Sequence, residues 1–166
     1  MNKTTVLNTI TNQGVIAVLR KIEEEKINQV AAALKAGGIK GIEITLDNFA
    51  ALKTIKNLKQ QFSSSELIIG AGTVLDAEQA GAAIRAGAEF LFSPTFDREM
   101  VNTCNRHGRL VIPGVLTPTE MINAYQAGAD MVKVFPAAAM GADYIKSING
   151  PLDQIPVVAT GGINLN

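Results

Sequence analysis

One apolar segment, MVKVFP at residues 131–136, indicates most directly how this chain folds. Methionine, valine and phenylalanine in close succession are typical of a parallel strand buried on both faces, and the proline ends the run. Lys133 stands inside this segment. Because burial penalises an ammonium, the pKa of Lys133 should fall and its free amine should become more populated. A free amine in an apolar pocket is a nucleophile that condenses with ketones and aldehydes to a Schiff base.

A second interpretation of Lys133 is structural: a lysine near a strand end can extend its amine to solvent along the apolar surface. The chemical interpretation is favoured because Lys133 lies just before the C-terminal end of its strand. Enzymes built on parallel barrels carry their catalytic residues at that end of the strands. An active site at the C-terminal end of the strands requires further functional residues elsewhere in the sequence.

The bulk composition indicates one globular domain without obvious macromolecular partners. The chain has 166 residues, of which 47% are hydrophobic and 18% charged, so it can bury a large core. Fifteen basic and fifteen acidic side chains balance, which gives no electrostatic basis for binding nucleic acid or an anionic membrane. No membrane-spanning run or signal peptide is evident. Cys104 is the single cysteine, which excludes an internal disulfide, so we expect a cytoplasmic protein.

Short apolar runs alternate with amphipathic segments such as 23–35, 49–61 and 76–86. This alternation predicts right-handed βαβ units and therefore a parallel sheet. The predicted strands are 15–20, 39–46, 67–73, 89–93, 110–114, 131–135 and 157–160.

Two α/β architectures fit seven predicted strands. An open doubly wound sheet would usually begin with a glycine-rich turn, but the first turn here is Arg20-Lys21-Ile22. A closed (β/α)8 TIM barrel needs about 200 residues or more. The sequence therefore predicts a single barrel domain over residues 1–166 that is truncated at its C-terminal end and lacks the eighth β/α unit.

Glu43 is a second candidate for chemistry. In the predicted strand GIEITL at residues 41–46, side chains two apart share a face, so Glu43 and Thr45 should point into the barrel while isoleucines face the helices. An acidic and a basic group in an otherwise apolar interior indicate a functional site more often than a structural pair. A salt bridge from Glu43 to Arg20 or Lys133 is the structural alternative, and both roles can coexist.

Other strand ends carry candidate binding residues. Arg20 ends the first strand, where its planar donors would suit a carboxylate ligand, although a solvated loop arginine is equally compatible with the pattern. GAGT at residues 70–73 is small enough for a ligand to approach the backbone. Gly161 and Gly162 follow the last strand and could bind phosphate through backbone amides. One histidine and one cysteine do not make the usual metal cluster, so no metal is predicted.

As a set, these motifs resemble the 2-keto-3-deoxy-6-phosphogluconate (KDPG) and 4-hydroxy-2-oxoglutarate (KHG) aldolases, from Val15 to the last residue. The shared segments are EIT at 43–45, IGAGT at 69–73, SP at 93–94, PGVLTPTE at 113–120, KVFP at 133–136 and TGG at 160–162. The resemblance implies a (β/α)8 barrel that assembles as a homotrimer. It also implies a class I aldolase, a lyase that uses a lysine Schiff base and no cofactor.

The resemblance assigns roles to five residues. Lys133 is the Schiff-base lysine, Glu43 is the general acid and base, and Thr73 binds the pyruvate part of the substrate. Pro94 and Phe135 line the pocket.

The substrate's charged ends are assigned in the same way, with one departure. Many members bind the carboxylate with an arginine four residues after the glutamate, where this chain has Asp47. A subset places the arginine at the end of the first strand, which implies Arg20. For the phosphate, the resemblance implies Thr160, Gly161 and Gly162, together with the family's eighth strand.

The implied reaction is reversible cleavage of KDPG to pyruvate and glyceraldehyde 3-phosphate. Cleavage of 4-hydroxy-2-oxoglutarate to pyruvate and glyoxylate would use the same residues. Two alternatives remain: the sister aldolase for 2-keto-3-deoxy-6-phosphogalactonate, which shares the lysine and the glutamate, and a truncated barrel that keeps the motifs without turnover.

Overall fold

The computed structural model describes residues 1–164, and all strand pairs in this part are parallel. The strands are β1 Ile16–Leu19, β2 Gly41–Thr45, β3 Ile68–Gly72, β4 Phe90–Phe92, β5 Leu110–Ile112, β6 Gly114–Val115, β7 Val132–Val134 and β8 Val157–Ala159. The helices are α1 Lys3–Gln13, α2 Glu24–Ala36, α3 Ala51–Gln61, α4 Ala77–Ala86, α5 Arg98–Arg106, α6 Pro118–Gln126, α7 Ala137–Met140 and α8 Ala142–Asn149.

The strands pair in chain order, as consecutive βαβ units require. β1 to β5 form one run of pairs and β6 to β8 a second. β5 and β6 are two halves of one strand interrupted at Pro113, because proline has no amide hydrogen to donate to a ladder. The predicted strand 110–114 is therefore interrupted once and extends to Val115. The seven predicted strands are confirmed in position, and the architecture is that of the TIM-barrel type.

Alternation along the strands separates two apolar layers. Outward side chains, such as Ile42 and Ile69, pack with Ile55 and Leu58 of α3. Inward side chains, including Ile68 and the other members of a second cluster, fill the space enclosed by the sheet. The larger inward members are Phe90, Phe92, Leu110, Ile112 and Met131. Two-residue periodicity thus produces a helix-facing layer and a packed interior.

Helix α1 was not predicted from the sequence. Its Val6 and Ile10 are buried in the interior cluster, and the Asn2 side chain caps the helix by accepting a hydrogen bond from the Thr5 amide. The Lys3 ammonium lies 2.9 Å from an Asp130 carboxylate oxygen. Because Asp130 lies two residues before β7, α1 covers the N-terminal end of the strands and leaves the C-terminal end for a site.

Helix α6 begins with a capping box. Thr117 and Glu120 form a capping box, with the Thr117 hydroxyl accepting from the Glu120 amide and the Glu120 carboxylate accepting from the Thr117 amide. No helix within residues 1–164 is both long and apolar enough to cross a membrane.

Candidate active site

Lys133 lies in the middle of β7, between Gly114 of β6 and Val158 of β8. Only 8% of the residue is exposed. Burial lowers the pKa of Lys133; the charge of Glu43 opposes this shift, and the positive charge of Arg20 adds to it. The amine is thus held in the environment that the apolar run predicts.

Two aromatic rings flank the lysine amine. The Lys133 Nζ lies 5.4 Å from the ring centroid of Phe92 and 4.9 Å from that of Phe135. Phe135 was assigned to the pocket from the resemblance, whereas Phe92 was missed. The available signal for Phe92 was its place in the strand Phe90–Phe92, whose alternation turns both phenylalanines inward.

Glu43 points into the barrel as predicted, between Val18 of β1 and Gly70 of β3. It is 2% exposed. Burial raises the pKa of the Glu43 carboxyl, and the positive charges of Lys133 and Arg20 oppose the shift without cancelling it. A carboxyl with a raised pKa is a stronger base than an ordinary glutamate, which suits a group that has to accept and return a proton.

The small residues of β3 make room for side chains of the protein itself. A Cβ atom on Gly72 would overlap the Glu43 Oε1, and one on Gly70 would overlap the Phe90 ring. The sequence interpretation, that these glycines admit a ligand to the backbone, is therefore wrong for Gly70 and Gly72. Gly72 is required because the Glu43 carboxyl occupies the space where its side chain would stand.

Arg20 follows β1 and joins two other residues at the mouth of the barrel. Its Nη1 lies 2.7 Å from Oδ2 of Asp47, and its Nη2 donates a hydrogen bond of 3.2 Å to the Thr73 hydroxyl. Thr73 has a φ of 57°, in the left-handed region that β-branched residues rarely adopt. Arg20 and Thr73 were predicted separately, and the structure brings them together. The contribution of Asp47 was not predicted.

The glycine-rich end of β8 faces the same interior. A cavity of about 450 Å³ is lined by Glu43 and Phe92 together with Thr160, Gly161 and Gly162. The Thr160 carbonyl accepts a hydrogen bond of 2.7 Å from the Ala137 amide, which joins this turn to the start of α7. Gly161 and Gly162 have φ values of 91° and 74°, so the turn has a conformation that suits glycine.

Pro94 lies on the neighbouring side of the barrel mouth. It lines a cavity of about 320 Å³ with Phe135 and Leu116. Gly114 packs against its backbone so closely that a Cβ there would overlap the Pro94 carbonyl group. One cavity is therefore lined by Glu43, Thr160, Gly161 and Gly162 and another by Pro94 and Phe135, and each cavity contains one of the two rings that flank the Lys133 amine. Within residues 1–164, no three His, Cys, Asp or Glu side chains are grouped as metal ligands.

Comparison with known proteins agrees with this geometry. Residues 6–166 match the family model described as KDPG and KHG aldolase. A 2-dehydro-3-deoxy-phosphogluconate aldolase of Treponema pallidum (strain Nichols) is 36% identical over 163 residues, which cover 98% of this chain and 77% of that protein. The chain belongs to the KDPG and KHG aldolase family.

Two further members show the breadth of the family around this chain. A 2-dehydro-3-deoxy-6-phosphogalactonate aldolase of Escherichia coli (strain K12) is 36% identical over 155 residues, covering 92% of this chain and 75% of that protein. A crystal structure of KDPG aldolase from Legionella pneumophila, with pyruvate captured as a covalent carbinolamine intermediate, superposes with a TM-score of 0.86 at 36% identity. The alignment covers 92% of this chain and 74% of that one.

The chain thus spans about three quarters of the length of the curated relatives that it matches. The family resemblance predicted from the sequence motifs is confirmed, as is the TIM-barrel type of fold. The chain is an enzyme of the KDPG aldolase type.

Proposed function

We propose that this KDPG-aldolase-type enzyme cleaves 2-keto-3-deoxy-6-phosphogluconate to pyruvate and glyceraldehyde 3-phosphate through a Schiff base on Lys133. The observation that carries the proposal is a buried lysine amine, flanked by two aromatic rings, in the same barrel interior as a buried glutamate. The pKa of Lys133 is lowered and that of Glu43 is raised, and perturbed pKa values are concentrated at active sites.

The first step is addition of the neutral Lys133 amine to the C2 ketone, followed by loss of water to an iminium. The flanking rings of Phe92 and Phe135 exclude water from the amine on two sides. The iminium then accepts the electron pair of the C3–C4 bond, which gives the aldehyde product and an enamine on the lysine. No cofactor is needed because the protonated imine is itself the electron sink.

Glu43 transfers the protons of the reaction. Through a water molecule, its carboxylate takes the proton of the C4 hydroxyl as the C3–C4 bond breaks, and it later returns a proton to C3 of the enamine. Hydrolysis of the resulting iminium releases pyruvate and restores the free amine. The raised pKa of Glu43 suits a group that has to be base and acid in turn.

The remaining residues orient the substrate. The Arg20 guanidinium and the Thr73 hydroxyl, already in hydrogen-bond contact, would bind the substrate carboxylate and bring its ketone to Lys133. Pro94 and Phe135 would contact the body of the substrate. Thr160, Gly161 and Gly162, which share a cavity with Glu43, would receive the phosphate end.

A second candidate is cleavage of 2-keto-3-deoxy-6-phosphogalactonate, the epimer at C4. It would use the same lysine and glutamate, Lys133 and Glu43. The E. coli relative named for that activity is as similar as the Treponema pallidum relative. Running the reaction from pyruvate and glyceraldehyde 3-phosphate and determining the C4 configuration of the product distinguishes the two substrates.

The decisive test is reductive trapping. Incubation with pyruvate and borohydride should add one reduced pyruvyl group per chain, and peptide mass spectrometry should locate it on Lys133. Turnover of KDPG should be measured on the same preparation by coupling pyruvate release to a dehydrogenase. Labelling of another lysine would contradict the proposed mechanism. Trapping without turnover of KDPG, 2-keto-3-deoxy-6-phosphogalactonate or 4-hydroxy-2-oxoglutarate would support a barrel that kept the site but lost the activity.

We also propose a homotrimer located in the cytoplasm. Both follow from the resemblance to the family and from the composition of the chain. Light scattering on the purified chain should give three times the 17.5 kDa mass of the protomer.

A further inference from the structure

Asp47 has no part in the proposed reaction, but it is in direct contact with Arg20, which is proposed to bind the substrate carboxylate. The Asp47 Oδ2 lies 2.7 Å from Nη1 of Arg20. The other terminal nitrogen of the same guanidinium, Nη2, donates to the Thr73 hydroxyl. The two ends of the Arg20 fork therefore have different partners, one acidic and one neutral.

We propose that Asp47 is a positioning residue, which holds the Arg20 guanidinium so that Nη2 and the Thr73 hydroxyl together face the substrate carboxylate. The inference rests on the proposed function, since it concerns how the carboxylate of that substrate is bound. It assigns Asp47 a role in specificity for 2-keto acids without placing it in contact with the reacting atoms.

The need for a positioning residue comes from the exposure of Arg20. Its side chain is 53% exposed, so packing alone does not hold it in one rotamer. A long, flexible side chain loses conformational freedom when it binds a ligand, and a prior contact that fixes its geometry reduces that loss. An ion pair on Nη1 restrains the planar group while Nη2 remains directed at Thr73.

The Asp47 side chain is less exposed than that of Arg20 and is ionised. Its side chain is 23% exposed, less than half as much as that of Arg20. The Thr45 hydroxyl, and then the charge of Arg20, hold the pKa of the Asp47 carboxyl below its ordinary value, although partial burial opposes them. Asp47 is therefore ionised at neutral pH. Thr45 is buried in β2, so Asp47, two residues further along the chain, lies just beyond the end of a strand of the barrel wall.

The Asp47 charge also has an opposing effect on binding, because it partly neutralises the cation that attracts the substrate. The two effects have opposite signs, so substitution separates them. If positioning dominates, loss of the carboxylate weakens binding of a 2-keto acid. If neutralisation dominates, loss of the carboxylate strengthens it.

The experiment measures the pyruvate concentration that gives half-maximal borohydride trapping on Lys133. We expect Asp47→Ala to raise this concentration about 10-fold, which corresponds to about 1.4 kcal/mol. Asp47→Asn keeps a hydrogen-bond acceptor for Nη1 and should stay within about threefold of the wild-type value. The exposed Asp153 provides a matched control, since Asp153→Ala removes a carboxylate in the segment before β8 and should leave the value unchanged.

Two further measurements distinguish positioning from a general structural defect. Trapping of acetone, a ketone without a carboxylate, should require the same concentration in Asp47→Ala and wild type. In an Arg20→Ala background, which by itself should weaken pyruvate trapping, adding Asp47→Ala should have no further effect, because the residue that it positions is gone.

An unchanged or lower pyruvate requirement in Asp47→Ala overturns this inference. Equal shifts for pyruvate and acetone, or full additivity with Arg20→Ala, also overturn it. In all these cases wild-type trapping on Lys133 leaves the proposed function standing. A wild-type chain that fails to trap pyruvate contradicts the proposed function, and this inference with it.

Discussion

Two buried glutamates at opposite ends of the barrel show how one fold treats the same charge differently. Glu89 lies just before β4, on the end covered by α1, and Glu43 lies in β2 near the opposite end. They are 3% and 2% exposed, so burial alone does not distinguish them. Burial also acts on Glu89, but hydrogen bonds from Lys59 and Ser64 and the charges of Lys59 and the N-terminal amine outweigh it, so its pKa lies below the usual value.

The partners account for the difference. The Lys59 Nζ lies 2.6 Å from Oε2 of Glu89, and the N-terminal amine lies 3.5 Å from Oε1. Arg20, the cation that could pair with Glu43, is bound to Asp47 instead. Lys133 acts on Glu43 through its charge while its amine lies between two rings. A buried charge with close partners stays ionised, and removal of one partner destabilises the fold, whereas an incompletely neutralised charge remains able to exchange a proton.

Substitution of the lysine should have the largest effect on the reactive end of the barrel. Lys133→Arg keeps a positive charge but cannot form a Schiff base, because a guanidinium does not lose its proton. We expect turnover to fall by roughly 10⁴ to 10⁶, as when a catalytic nucleophile is lost, and no pyruvate to be trapped. Lys59→Arg, which keeps the charge near Glu89, is the matched control and should turn over normally. Comparable turnover in Lys133→Arg and Lys59→Arg would contradict the assignment of the chemistry to the end of the barrel that holds Lys133.

Glu43→Gln should have the next largest effect. The amide keeps the shape of the side chain but cannot take a proton, so turnover should fall by roughly 10² to 10⁴. Pyruvate should still be trapped on Lys133 at saturating concentration, because formation of the Schiff base depends on the amine. Steady-state turnover and pyruvate trapping should be measured on the same sample of Glu43→Gln. Near-normal turnover would show that Glu43 does not transfer the protons of the reaction.

The effects of the two glutamates on stability should be the reverse of their effects on turnover: substitution of Glu89 should destabilise the fold more than substitution of Glu43. Glu89→Gln leaves the Lys59 ammonium without its carboxylate and should cost about 1–3 kcal/mol, with turnover at moderate temperature unchanged. Glu43 has a raised pKa in the folded state, so its ionised form costs stability above the unfolded pKa, and the cost disappears as the pH falls. Glu43→Gln should therefore melt at or above the wild-type temperature at pH 7.

Thermal melts of wild type, Glu43→Gln and Glu89→Gln at pH 7 provide this measurement. For a chain of this length, 1 kcal/mol corresponds to a shift of about 2–4 °C in Tm. If both variants lost stability equally, the two glutamates would be equivalent structural groups and the contrast between them would be wrong.

The smallest expected effect is on the pH dependence of trapping. Burial lowers the pKa of Lys133, so the rate of trapping should reach half its maximum below pH 10.5, the ordinary lysine value. The charge of Glu43 raises the pKa of Lys133 and that of Arg20 lowers it. The midpoint should therefore move down in Glu43→Gln and up in Arg20→Met, with Glu89→Gln unchanged. Shifts in the opposite directions would contradict the electrostatic account of the site.

Sequence periodicity was sufficient for the scaffold and for the orientation of its functional side chains. Alternation in β2 predicts that Glu43 points inward, and the structure confirms it. The apolar run around Lys133 predicts a buried amine, which is also observed. These predictions succeed because strand alternation is local geometry and does not depend on the partners of the strand.

Predictions that depended on contacts between distant segments were weaker. The sequence did not indicate helix α1. Its apolar residues Val6 and Ile10 are buried against interior side chains that come from strands later in the chain. Gly72 was assigned to a ligand, but it makes space for Glu43 on the neighbouring strand. Phe92 was overlooked beside Lys133 because the two lie on strands far apart in the chain.

By itself, the sequence determined the order of the strands, the inward direction of Glu43, the burial of Lys133 and the family to which the chain belongs. Only the tertiary structure decided the charged partners. Arg20 pairs with Asp47 rather than with Glu43, and Glu89 pairs with Lys59 rather than with a residue of the site. The physical reason is that burial follows from local pattern, whereas neutralisation of a buried charge depends on which side chains, brought from distant segments, come within a few ångströms of it.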